Sequence, residues 1–258
     1  MIPQSETNGR ILYEDSDHKF IWLGADPVYR KGVVQTNQFL IIDRGTGTLL
    51  DPGGVHLFSR VVAMSSRYIS LDKIEHIFFS HQDPDVSSGI TLWLGVTRAK
   101  VHVSNLWLRF LPHFGIIDDS RIVGIDDAGS NLKLPGGSQL RFVPSHFLHS
   151  IGSFCAFDDR SSILFSGDIG TGVFPEGKES VNVEDFASHL PFIEGFHRRY
   201  MCSNSAARKW VGLIQALAPK MICPQHGAIY EGDSVNAFLN WLRDLRCGID
   251  LLDEIYGS

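Results

Sequence analysis

Four apolar, β-type runs in this chain each stop at a residue able to hold a metal ion. His81 follows Ile74-Glu75-His76-Ile77-Phe78-Phe79, and His149 follows Leu140-Arg141-Phe142-Val143. Asp168 follows Ile163-Leu164-Phe165-Ser166-Gly167, and His226 follows Met221-Ile222-Cys223-Pro224. The first run leads into His81-Gln82-Asp83-Pro84-Asp85, which adds two carboxylates at alternate positions. Groups on loops at one edge of a rigid sheet can converge on a metal. A chain that gathers residues 81 to 226 at one place is expected to be one domain, 1–258, and not two.

Composition narrows the class. Of 258 residues, 43% are hydrophobic and 20% charged, enough apolar chain for a sizeable core in a soluble globular protein. The net charge of −6 argues against nucleic acid or an anionic membrane surface as partner. No apolar run is long enough for a membrane span. The opening Met1-Ile2-Pro3-Gln4-Ser5-Glu6 is polar and lacks a signal-peptide core, so a cytoplasmic location is expected. Cys155, Cys202, Cys223 and Cys247 show no C-x-x-C spacing and read as reduced thiols. Gly257-Ser258 reads as either an expression scar or the start of a linker.

Along the chain, Phe39–Asp43 and Thr48–Asp51 flank the turn residues Arg44-Gly45-Thr46-Gly47, a hairpin signal. Helices are expected from Val55 to about Tyr68, from Ser87 to about Gly95, and briefly from Leu106 to Phe110. Val101-His102-Val103 reads as a strand, as do Leu140–Val143, Phe154–Phe157 and Ile163–Phe165. A long helix is expected over about Val183–Arg199, broken or bent at Pro191. Two more follow, one from Ser203 or Asn204 to before Pro219 and one over about Val235–Cys247. Asp168–Glu184 reads as a loop. Strands followed by helices, twice over, suit an α/β four-layer αββα sandwich.

The motifs resemble the metallo-β-lactamase superfamily from about Gly32 to about Gly232. Asp51-Pro52-Gly53-Gly54 resembles its first motif, an Asp that supports the site without touching metal. His81-x-Asp83-x-Asp85 resembles the second, His149 with Ser153 the third, Asp168 the fourth and His226-Gly227 the fifth. Asp83-Pro84 and Met221–Tyr230 are most similar to the flavodiiron branch, and to stand-alone oxygen-binding diiron proteins that lack the flavodoxin domain.

The resemblance implies that one metal takes His81, Asp83 and His149, the other takes Asp85 and His226, and Asp168 bridges them. His146, three residues before His149, is the rival third-motif ligand. The implied cofactor is two Fe ions (Fe2+/Fe3+) with a bridging oxo, hydroxo or peroxo ligand, and no flavin in this chain. Mixed imidazole and carboxylate ligation suits non-haem iron or manganese, whereas the hydrolytic branch more often has His where Asp83 stands. Two departures stand out. Val86 replaces a His expected after Asp85, and Val173, followed by Phe174, replaces one expected after the bridging Asp. Both imply a site that holds oxygen and is poor in proton donors. The other histidines, His18, His56, His76, His102, His113, His189 and His197, read as surface or core.

The implied function is a dioxygen sensor or carrier with a signalling or electron-transfer protein as partner, in a chemotaxis setting, and with homodimers as in flavodiiron proteins. The alternatives are an oxygen or nitric oxide reductase fed by a separate donor, and a zinc hydrolase.

Overall fold

The computed structural model describes residues 7–26 and 34–257. Met1–Glu6, Gly32 and Ser258 lie outside the described residues. A seven-stranded sheet runs in sequence order: β1 (Arg10–Glu14), β2 (His18–Trp22), β3 (Phe39–Asp43), β4 (Thr46–Leu50), β5 (Ile74–Phe78), β6 (Lys100–Ser104) and β7 (Ile122–Ile125). Its first four strands are antiparallel neighbours, and β4 through β7 are parallel. The second sheet holds β8 (Ser130–Lys133), β9 (Gln139–Pro144), β10 (Phe154–Asp158), β11 (Ile163–Gly167), β12 (Met221–Pro224) and β13 (Tyr230–Glu231), with β11 and β12 parallel.

Strand side chains alternate between faces, and both faces of each sheet are buried. From β3, Phe39 and Ile41 point to the middle of the sandwich, where they meet Phe142, Phe154 and Phe165 of the second sheet. Leu40, from the same strand, packs outward with Val61 of α1 (Phe58–Ser65) and Trp93. Short helix α2 (Pro84–Ser87) and α3 (Ile90–Val96) complete that outer layer with a 3-10 helix, Asn105–Phe114. The second sheet is covered by α4 (Phe186–Tyr200), α5 (Asn204–Leu217) and α6 (Asp233–Asp244), followed by the terminal α7 (Leu252–Tyr256). The result is the expected αββα sandwich of the metallo-β-lactamase fold. Among the described residues, no helix is long and apolar enough to cross a membrane.

Three of the expected helices differ from the structure in ways that bear on the packing. The helix expected over Ser87–Gly95 is two, α2 and α3, separated by Ser88 and Gly89. The helix expected from Val55 begins as a 3-10 turn, and α1 proper starts at Phe58. Helix α4 runs unbroken through Pro191. Proline removes the bond to the carbonyl four residues back, but Ala187 and Pro191 are both exposed, on the solvent side of the helix, where the freed carbonyl is not shut away from water. The buried stripe His189, Ile193, His197 holds the helix on the sheet.

Candidate metal centre

Parallel pairing sends β5, β11 and β12 toward the same end of the molecule, where their connecting loops meet. His81 lies three residues past β5, Asp168 directly after β11 and His226 two residues past β12. His149 comes from the loop joining β9 and β10. Pro84 is the first residue of α2, so Asp83 precedes that helix and Asp85 sits inside it, and the two carboxylates diverge.

The six side chains form two groups joined by Asp168. Asp168 Oδ2 lies 2.9 Å from His149 Nε2 and 3.7 Å from His81 Nε2. Asp83 Oδ2 faces the same two imidazoles, at 3.4 and 3.7 Å. On the other side, Asp168 Oδ1 is 3.5 Å from His226 Nε2, which is 3.2 Å from Asp85 Oδ2. Ligand atoms at about 2–2.2 Å from one ion sit about 3–4 Å from one another, the spacing seen here. Asp168 Oδ1 is buried without a hydrogen-bond partner, an orphan that a cation would satisfy. The donor set therefore fits two adjacent metal ions. Carboxylates offset the charge of such a pair, whose members typically stand about 3.5–4 Å apart.

The supporting residues aim the ring nitrogens. His81 Nδ1 donates to Ser80 Oγ at 2.8 Å, and Ser80 in turn donates from both its hydroxyl and its backbone N–H to Asp51. His226 Nδ1 donates to the Gln35 carbonyl at 2.8 Å. Each ring then presents Nε2 to the centre. Burial alone would push the His81 pKa down, but Asp168, Asp83 and Asp51 together raise it to about 9. Burial would likewise lower His226, and Asp85 and Asp168 raise it instead. Burial opposes ionisation of Asp168, yet the surrounding imidazoles hold it well below the usual carboxylate range. Asp83 is also held down, chiefly by His81. Burial pushes Asp51 up to about 7.

His146 turns away from this cluster. Its Nε2 lies 2.8 Å from the Asp127 carbonyl and its ring sits edge-on to Phe154. Val86 is buried in the outer core of the first sheet, and Val173 is 48% exposed. Phe174 covers His189, whose pKa burial pushes down to about 4, so that imidazole is neutral at physiological pH. Among the described residues no thiol joins the cluster. Cys155 and Cys223 are buried within strands, where burial raises both.

Two contributors escaped sequence reasoning. Gln225 is fully buried and its Nε2 donates to Asp85 Oδ2 at 3.3 Å. Its signal was its place, directly before His226. His149 is flanked edge-on by Tyr200 and Phe196, which stack on each other one turn apart at the end of α4. Nothing local in the sequence ties that helix end to residue 149.

The model of a family described as ODP family beta lactamase matches residues 34–227. The chain belongs to that family. Two solved structures resemble this ODP-family chain along nearly its whole length. The peroxy diiron species of chemotaxis sensor ODP is 59% identical, with a TM-score of 0.86 over 96% of this chain and 99% of that one. The apo state of chemotaxis sensor ODP from T. denticola is 58% identical, with the same TM-score, over 96% and 98%. The flavodiiron protein from Giardia intestinalis, 19% identical with a TM-score of 0.71, covers 86% of this chain and 56% of its own, and shares the fold. No curated protein matches the chain.

Proposed function

We propose that this ODP-family chain is a non-haem diiron protein that binds dioxygen as a sensor in chemotaxis signalling. One observation carries this most directly: three imidazoles and three carboxylates converge in two groups about Asp168, in a chain 59% identical to an ODP known as a peroxy diiron species. His81, Asp83 and His149 would hold one iron, Asp85 and His226 the other, with Asp168 facing both groups. Mixed N/O ligation with carboxylate weight suits iron over zinc. A bound diferrous pair supplies the open coordination positions and the two electrons with which dioxygen is captured.

The protein's own residues favour retention. Asp85 and His226 give the second site few protein ligands. Val173 and Phe174 put apolar groups where a proton donor would stand, and His189 beside Phe174 is neutral at neutral pH, while proton delivery is what cleavage of a bound oxygen species requires. The reading includes a cytoplasmic homodimer that reports to a signalling partner.

The test is anaerobic loading with ferrous iron, elemental analysis, then stopped-flow absorbance on mixing with oxygen. About two irons per chain and a long-lived visible band after one oxygen per pair are expected. Rapid steady oxygen consumption with a simple donor would make the protein a reductase. Stoichiometric zinc, with iron-loaded protein inert to oxygen, would make it a hydrolase.

A further inference from the structure

A cavity of about 200 Å3 lies under the 3-10 helix Asn105–Phe114, outside the first sheet. Phe79, Val103 and Leu111 form its walls, Phe110 (45% exposed) its solvent side, and His81 with Gln82 its floor. His81 thus borders both this space and the carboxylate cluster.

The polar groups of that floor are already engaged. Ser87 Oγ donates to the Gln82 and Asp83 carbonyls at 2.9 and 3.0 Å. Gln82 Oε1 accepts from Ser150 Oγ at 2.7 Å, and its Nε2 donates to Asp83 Oδ1 at 3.3 Å. His81 Nδ1 is held by Ser80. The Trp107 indole N–H, also at the cavity, is buried without an acceptor. A water settles only where it finds about two to four polar partners, and the lining of this space is almost wholly apolar. Apolar cavities of roughly 150 Å3 stay dry and admit benzene or xenon. The space therefore suits a small, uncharged, apolar molecule. The alternative approach to the centre passes Asp83 and Asp85, which are 35% and 40% exposed and hydrated.

We propose that this cavity collects dioxygen beside His81 and feeds it to the metal centre, so that the 105–114 segment governs how fast the gas arrives. The proposal rests on the dioxygen-binding reading above.

Xenon tests occupancy without any metal. Metal-free protein under xenon pressure, followed by NMR or crystallography, should show one site against Val103 and Leu111. An absence of xenon there overturns the proposal. Val103→Phe and Leu111→Phe each add bulk at a lining position and replace no candidate ligand. Either variant should load iron like the unmodified protein and reach the same final absorption band, but several-fold more slowly on mixing with oxygen. Unchanged rates in folded, xenon-free variants overturn the delivery role. A lack of any band in the iron-loaded unmodified protein would overturn the oxygen-binding reading and the delivery role with it, while the xenon result would still judge the cavity.

Discussion

Asp168 is the residue on which both halves of the centre depend, since each of its oxygens faces a different group of ligands. His149 stands closest to it, and the expected outcome of His149→Ala is loss of half or all of the bound iron by elemental analysis. His146→Ala should keep most of it, because His146 is committed to the Asp127 carbonyl. The reverse result would shift the third motif by three residues. Gln225→Leu removes the donor that steadies Asp85. Supporting residues of this kind are typically worth about 10–100-fold in metal affinity, so one of two metal-binding steps should weaken by that order in a calorimetric titration. Proton competition supplies a further check. With no metal bound, His81 keeps its proton up to about pH 9, and His226 is raised as well. Binding must expel those protons. Metal affinity, measured against a chelator, should therefore climb with pH across the neutral range and level off near pH 9. A flat profile would contradict ligation through His81.

At the scale of elements, the loops after β11 and β12 are locked backbone to backbone. Gly172 N–H donates to the His226 carbonyl at 3.2 Å. Gly227 has φ +86°, and a Cβ there would lie 2.6 Å from the Gly172 nitrogen. Gly227→Ala should cost about 1–3 kcal/mol, the usual scale for strain at such positions. It should also lower iron content, seen as a drop in melting temperature together with reduced loading. The elements that carry the ligands were legible: β5, β9 and β11 hold β-branched and aromatic residues, and they and the short apolar β12 end at distinctive motifs. Strands β1, β2, β7 and β8 were missed: β1, β7 and β8 are edge strands with mostly half-exposed or exposed residues and no clean alternation, and β2 opens on the polar pair His18-Lys19. A two-residue strand such as β13 leaves no periodic trace. Pro191 misled because proline's cost depends on whether water reaches the freed carbonyl, a property of the docked helix and not of its sequence.

Over the whole molecule, the two sheets are tied at the end away from the centre. His18 bridges Asp43 and Asp158 at 2.8 Å on each side, and all three are buried. Asp43 pairs with Thr46 at the start of β4, and Asp158 with Ile163 at the start of β11, opposite the strand ends that lead to the ligands. Contacts spanning 140 residues carry no local signature, which is why His18 read as an ordinary histidine. Burial would lower its pKa, but the two carboxylates raise it. A raised folded value means that its stabilisation is fully present below the unfolded pKa and is lost as pH rises through the folded one. Removing one partner of a buried ionic group costs about 3–5 kcal/mol, so His18→Ala should lower stability by that order in denaturant melts. The protein's stability should also decline on the alkaline side, and the variant should lose that part of the decline.

His81, Asp83 and Asp85 issue from the first sheet, while His149, Asp168 and His226 issue from the second. With His18 as the spine of a book, the metal ions are its clasp. Filling the centre would bind one cover to the other at the edge opposite that spine, so that each sheet is fastened to its neighbour at both ends.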